Sequence, residues 1–415
     1  MRHGGDAVSA LAQVMQKEAA LLLPTYERYP VLFERGEGVY LYDAEGRRYL
    51  DFLSGIGVNA LGYGHPAIQA ALGAQAKRVI HLSNLFFHEH QATLAARLTR
   101  AAGLERAFFS NSGTEAWECA LKMARAYAKH SNGHGRPKSR LLVMEDSFHG
   151  RTYGALATTG QKKYRAPFAP LLPGVTFVKF NDVADLKKKF DRSVCAIGLE
   201  TVQGEGGVRP VTQEFLATAR ELTRRAGALL ILDEIQCGLG RTGKMFAFQH
   251  YGIKPDVVTV AKPLAAGLPL GATLTTHKVA AAFHAGMHGT TFGGGPLACA
   301  VGTAFLEEMT RERLQHVSRL GKYFAGELRR LQKRHACIRE VRGMGLMLAA
   351  ELDSAELAKS VVREALAAGI VINRTHDTAL RFLPPYVIEQ GHVDEVIAAL
   401  DRLLPAHAAT RRNKQ

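Results

Sequence analysis

Between residues 107 and 310 the chain alternates short apolar runs with longer stretches of helical period, and nothing else in the sequence restricts the fold as strongly. Strand-like runs stand at Ala107–Ser110, Leu141–Glu145, Thr176–Phe180, Ala196–Glu200, Ala228–Asp233, Val257–Ala261 and Ala272–Thr275. Helix-like stretches lie at 114–130, 213–226 and 296–310. Continuous Val/Ile/Leu runs mark strands buried on both faces, with crossover helices as their cover. The pattern therefore predicts an α/β fold with a mostly parallel central sheet and helices on both sides.

The flanks read differently. A helix is predicted over 7–22, ended by Pro24, and a hairpin over 38–52 with its turn at Asp43–Gly46. After residue 310, amphipathic helices near 312–334, 354–368 and 392–403 flank strand-like Met347–Glu351, Val371–Asn373 and Leu380–Phe382. A chain of 415 residues exceeds one simple core. The expected division is an N-terminal segment and hairpin (1–70), a large α/β domain (71–310) and a smaller α+β domain (311–415). The hairpin is expected to pack with the smaller domain, since neither piece could bury a core alone.

Composition removes several function classes. No apolar run approaches the roughly 18 residues of a membrane span, and Asp6, Gln13 and Glu18 interrupt any leader-like segment, so a cytoplasmic location is expected. The five cysteines are odd in number, dispersed and never at C-x-x-C spacing, which argues against disulfides and zinc. Net charge is +15, but the basic clusters (187–189, 311–313, 329–330, 411–414) are short, scattered and free of interleaved aromatics. That reads as a solvated basic surface rather than a nucleic-acid interface. His88, His90, His284 and His288 lack a third ligand at metal-binding spacing.

The strongest chemical signal is a pair of strands. Leu229–Leu232 delivers Asp233, and Val257–Ala261 delivers Lys262. Ligands of parallel sheets bind outside the carboxyl ends of strands, so both groups face one crevice. An amine leaving an apolar strand is costly unless neutralised, paired or used covalently; a Lys–Asp ion pair remains the alternative. Ser110–Glu115 joins a strand to a helix, so Gly113 and Thr114 offer free amides to an anion. Ser112 or Thr114 acting as an ordinary helix cap is the competing reading. Gly289–Gly295 could bring the Thr290 and Thr291 hydroxyls to the same anion.

Six segments in order, Ser112-Gly-Thr-Glu-Ala116, Phe148-His-Gly-Arg151, Gln203-Gly-Glu-Gly-Gly207, Asp233-Glu-Ile-Gln236, Ala261-Lys262 and Thr291-Phe-Gly293, resemble the class-III aminotransferases, within them the acetylornithine/ornithine branch. The resemblance runs from the hairpin to Arg381. It implies the fold-type I architecture of pyridoxal-phosphate (PLP) enzymes and a homodimer with active sites at the interface. By position, Lys262 would hold the cofactor covalently and then act as proton-transfer base, and Asp233 would pair with the ring nitrogen. Gln236 would bond the ring's phenolic oxygen and Phe148 would stack on the ring. Ser112, Gly113 and Thr114 would hold the phosphate, joined by Thr291 of the partner subunit. Arg151 would grip the carboxylate remote from the reacting amine, with Thr290 among the substrate contacts. Arg381 would bind glutamate's α-carboxylate, masked by Glu205 when the donor has none there.

Pro263, Gly295 and Trp117 depart from common family residues (an Asn is frequent at the last two), and none removes a catalytic group. Ser54–Asn59 lacks the tyrosine of ornithine-specific relatives, leaving room for an acyl group. The reading is transamination between N-acetylornithine and 2-oxoglutarate, a step of arginine biosynthesis. Ornithine, succinylornithine, 4-aminobutyrate and a carrier-bound lysine precursor are alternative substrates, and a PLP aminomutase an alternative activity. A P-loop nucleotidase, suggested by Gly238–Lys244, is disfavoured because Met245 replaces the Ser/Thr that binds magnesium.

Overall fold

The computed structural model describes residues 9–131 and 138–405. The first residues of the helix expected at 7–22, and the basic cluster at 411–414, lie outside them. The helix itself spans Ala10–Leu21 and is capped by Ser9, whose hydroxyl accepts from the Ala12 amide at 3.2 Å.

A seven-stranded sheet forms the centre, in the order Arg106–Ser110, Gly271–Thr275, Val257–Val260, Leu229–Asp233, Val194–Glu200, Arg140–Met144, Val175–Val178. Its strands are parallel except Gly271–Thr275, which runs antiparallel to both neighbours. Every residue of Val194–Glu200 and Leu229–Asp233 is buried, which is why these segments read as unbroken apolar runs. The register pairs Asp233 with Glu200 on one side and Thr259 on the other. Carboxylates therefore emerge together at the sheet's carboxyl edge.

The covering helices are fixed locally. In Gln213–Ala226, Thr212 caps the Phe215 amide, Glu214 sits in the first turn and Arg224 and Arg225 in the last. Gly227 ends it in the left-handed conformation (φ 62°), where a side chain would be strained. The buried face is Phe215, Leu216, Ala219 and Thr223, matching the helical period.

Two four-stranded sheets form the periphery. One runs Phe33–Glu37, Tyr40–Asp43, Arg48–Asp51, Ile370–Val371, and its last pairing is parallel, with Leu50 opposite Ile370. The N-terminal hairpin is thus hydrogen-bonded to a strand from the far end of the chain. The other runs Ile338–Met344, Met347–Leu352, Ala379–Phe382, Asn373–Thr375. The single strand expected over Val371–Asn373 is corrected: the chain breaks at Ile372, and the two halves join different sheets. No helix among the described residues is long and apolar enough to cross a membrane.

Glu234, next to Asp233, ties the sheet edge to the turn behind it. Its buried carboxylate accepts from Thr201 Oγ1 at 2.7 Å and from the amides of Ala247 (2.7 Å) and Phe248 (3.0 Å). Burial pushes it up to about 7, against those hydrogen bonds. A folded value above the ordinary 4.5 means the native state binds the extra proton. Its stabilising contribution is complete at low pH and is lost as pH rises through about 7, on the order of 3 kcal/mol. Denaturant unfolding at pH 4.5 and 8 is expected to show a smaller pH-dependent loss in Glu234→Gln than in the parent. Equal losses in the two proteins would remove the assignment.

Candidate active site

One cavity of about 440 Å³ lies at the carboxyl edge of the central sheet, and the chain brings to it groups from four strand ends and one helix start. Asn111, Ser112, Gly113 and Thr114 open the helix Gly113–Ser131 on one wall. Phe148, Gly150 and Arg151 come from the loop after Arg140–Met144. Glu200, Glu205, Asp233, Ile235, Gln236 and Lys262 stand among the other lining residues.

Lys262 follows Val257–Val260 with φ 35°, a left-handed conformation unusual for a residue with a side chain. Burial holds its amine below the usual lysine value, Glu205 opposing and Arg381 reinforcing the shift. Among the described residues it forms no ion pair, so the simple Lys–Asp bridge is absent. Asp233 is 3 % exposed, accepts from the Ile235 amide at 3.0 Å, and lies 2.7 Å from His149 Nδ1. Glu200, one strand over, is held well above the ordinary carboxylate range by burial and by the charge of Asp233. It accepts from the amides of Phe148 and Gly204, both at 3.2 Å.

Glycine is required at the helix start. A Cβ on Gly113 would lie 2.9 Å from the Ile235 side chain, and one on Gly150 would lie 2.1 Å from the Thr114 hydroxyl. Ser112 caps the helix, its hydroxyl accepting from Glu115 N at 3.3 Å, and the O–H it retains and the first backbone amides of the helix are the anion donors there. Thr114 Oγ1 meets Thr152 Oγ1 at 2.9 Å, and Thr152 donates to Glu118 at 2.7 Å.

Two arginines differ in state. Arg381 is 1 % exposed, donates to Glu205 Oε1 at 2.5 Å and to Asn373 Oδ1 at 3.1 Å, and approaches Gln236 Oε1 at 3.5 Å. Burial raises Glu205, but Arg381 and Lys262 outweigh it and hold the carboxylate below its ordinary value. Arg151 is exposed and forms no ion pair among the described residues; its guanidinium lies 3.8 Å from the Tyr164 ring centroid and 5.6 Å from that of Phe148.

Thr290 and Thr291 are not brought to this cavity within the chain. They line a neighbouring hollow with His288 and Lys122, and Thr290 Oγ1 accepts from Asn111 Nδ2 and the Gly293 amide. The expectation that both hydroxyls meet the same anion as Gly113 is corrected for a single subunit. The P-loop-like segment Gly238–Lys244 leads to the short 3₁₀ turn Ala247–His250 instead of a phosphate-binding helix, and its Arg241 is buried against the Leu346 and Pro384 carbonyls. The histidines weighed as metal ligands have other partners: His88 the Gly294 carbonyl, His90 Gln75, His284 the Ala285 carbonyl and His288 Lys122.

Sequence reasoning gave no role to His149, Glu200, Ile235 or Thr152. His149 and Ile235 sit inside quoted motifs, and Glu200 ends a predicted strand, so position in a motif was the available signal.

The donor set suits pyridoxal phosphate: an unpaired enclosed amine for the aldehyde, a buried carboxylate for a protonated ring nitrogen, and helix amides for the phosphate. The class-III aminotransferase profile matches residues 23–404. An acetylornithine aminotransferase from Caldanaerobacter subterraneus is 45% identical over 388 residues, 93% of this chain and 98% of that one. The ornithine aminotransferase of Toxoplasma gondii, solved with partial occupancy of PLP at its active site, superposes with TM-score 0.91 at 32% identity, covering 96% of this chain and 95% of that one. The N-acetylornithine aminotransferase of Stenotrophomonas maltophilia gives TM-score 0.81 at 35% identity, covering 94% and 98%. The chain belongs to the class-III aminotransferases, PLP-dependent enzymes of fold-type I.

Proposed function

We propose that the chain transfers the terminal amine of N-acetylornithine to 2-oxoglutarate, giving N-acetylglutamate 5-semialdehyde and glutamate. The observation that carries this is the contrast between two guanidiniums: Arg151 lines the cavity without an ion pair among the described residues, while Arg381 sits behind the cavity wall, masked by Glu205 and against Gln236. A donor whose only carboxylate is remote from its amine needs Arg151 alone, whereas glutamate, with one beside its amine, needs Arg381 as well. Planar bidentate pairing suits both arginines to carboxylates.

Bound pyridoxal phosphate supplies the aldehyde that captures the amine and a ring that withdraws electrons from the reacting carbon. Lys262, its amine held below the usual lysine value by burial, would be the base that takes and returns the proton at the reacting carbon. Asp233 would stabilise a proton on the ring nitrogen. Gln236 would bond the phenolic oxygen, and the Phe148 and Ile235 side chains, which line the cavity, would keep water from the ring. Gly113 and Thr114 offer amides to the phosphate.

Two further features support the substrate and the assembly. The segment Ser54–Gly57 turns left-handed at four successive residues (φ 47°, 63°, 64° and 82°), and Val58, in a stretch (54–59) without an aromatic residue, lines the cavity. That space suits an acyl group on the α-nitrogen. Leu85, Phe86 and Phe87 are 86%, 65% and 104% exposed beside exposed Phe292. Asn84 bonds the Thr290 and Gly293 carbonyls, fixing this ridge to the loop that carries Thr291. A second copy covering the ridge would form the homodimer and offer Thr291 of the partner subunit to the phosphate. The five free, buried cysteines fit a reducing, cytoplasmic setting.

A screen of amino donors with 2-oxoglutarate as acceptor tests the assignment. N-acetylornithine is expected to exceed ornithine and 4-aminobutyrate in kcat/KM by at least about tenfold. If 4-aminobutyrate were the better donor, the substrate assignment would fail while the reaction class stood.

A further inference from the structure

We infer that Trp117 is a positioning residue of the reaction centre: its indole keeps the outer nitrogen of His149 dry and so fixes that ring as a neutral donor to Asp233. The indole and imidazole stack with centroids 3.8 Å apart and planes 6° from parallel. Trp117 is itself held in place. Its Nε1 donates to Thr158 Oγ1 at 2.8 Å, and that hydroxyl bonds the Gly154 and Ala155 carbonyls at 3.0 Å. On the sheet side, a Cβ at Gly198 would stand 2.8 Å from the indole, so the bare glycine of the neighbouring strand makes its seat. A tryptophan and its matching gap thus come from a helix and a strand far apart in sequence.

The consequence lies in where the imidazole proton sits. The His149 side chain is fully buried, Nδ1 lies 2.7 Å from Asp233 Oδ2, and Nε2 is buried with no hydrogen-bond partner among the described residues. A proton on Nε2 would be a buried donor without an acceptor and would make the ring a desolvated cation; attraction to the indole face does not replace the missing acceptor. One proton therefore stays on Nδ1. Asp233 then receives two neutral donors, His149 and the Ile235 amide, which orient its oxygens without cancelling its charge. Of the ionisable groups around this pair, Glu200 is pushed upward by burial and Asp233, and the Lys262 amine and the buried Cys237 thiol also face Asp233. The charge of Asp233 remains available to the cofactor's ring nitrogen, the assignment on which this inference rests. An amide at position 117 would give Nε2 a polar neighbour and open space for water, allowing an imidazolium that competes for Asp233.

The test uses holoenzyme with ¹⁵N-labelled histidine and, separately, cofactor labelled at the ring nitrogen, read by NMR at one fixed pH. In the parent, the His149 signals, assigned by their loss in His149→Gln, are expected to show one protonated and one bare nitrogen. Trp117→Phe, which keeps a stacked ring, should preserve both sets of signals and stay within about threefold of parental kcat. Trp117→Asn should turn the His149 pattern toward imidazolium, shift the ring-nitrogen signal toward an unprotonated pyridine, and lower kcat by about tenfold or more with KM less affected. An imidazolium pattern in the parent overturns the proposal, as does Trp117→Asn with parental signals. Should Trp117→Asn not fold, the parent's histidine pattern and the Phe variant still decide. If instead the parent's ring nitrogen is unprotonated while His149 is neutral, it is the pairing of Asp233 with the cofactor that fails.

Discussion

Lys262→Ala is expected to abolish the covalent, borohydride-trappable attachment of the cofactor and to lower kcat by about 10⁴-fold or more. Both losses have one origin, since the same amine makes the covalent bond and moves the proton. No neighbour can replace it: among the described residues the other Lys or Arg lining the cavity is Arg151, with Arg381 behind Glu205 and Gln236, and guanidiniums stay protonated. The fold should not suffer. Alanine inherits the same left-handed backbone (φ 35°), and removing an enclosed amine without an ion pair relieves a desolvation cost. Thermal unfolding of the cofactor-free protein is therefore expected to match or exceed the parent's. Absorbance of the purified protein with added cofactor, before and after borohydride, reads the outcome; persistence of a trappable linkage would refute the role of Lys262.

The strands that carry Asp233 and Lys262 were legible because they are buried on both faces. Leu229–Leu232 and Val257–Val260 have no polar residue but Thr259, and their ends coincide with the first charged side chains. Ile338–Met344 was missed because its interior is Arg339, Glu340 and Arg342, an edge strand whose Arg342 is clasped between Glu340 and Glu351. Such a strand has no apolar alternation to find. The break at Ile372 was invisible for a different reason: which sheet a short strand joins depends on partners elsewhere in the chain. The same limit applies within the site. Motif spacing identified Asp233, but the imidazole against it comes from His149 and the indole behind that from Trp117, a residue legible only as a departure from the family. Thr290 and Thr291 were read as near Gly113 from composition alone, which says nothing of the direction in which a loop presents its hydroxyls.

Glu205→Gln should separate the two half-reactions. In the parent, Arg381 is neutralised by Glu205 at 2.5 Å and would otherwise be a cation 1 % exposed beside the site where the amine reacts. On the proposed reading, N-acetylornithine would need the mask, because that donor brings no carboxylate beside its reacting amine to meet the guanidinium, whereas glutamate would bring one and displace Glu205. Removing the charge of Glu205 should therefore slow the N-acetylornithine half-reaction by about tenfold while leaving glutamate's equal or faster, measured as single-turnover absorbance changes. Arg381→Gln works in the opposite sense. It deprives glutamate of its α-carboxylate partner, at a loss of about 100-fold or more in kcat/KM, and leaves Glu205 an enclosed carboxylate with Lys262 as its remaining favourable charge. N-acetylornithine should suffer less, since Arg151 still holds its carboxylate. Were Glu205→Gln to change both half-reactions by the same factor, the pair would be a fixed structural bridge, and the account of Arg381 as masked for one substrate and released for the other would fall.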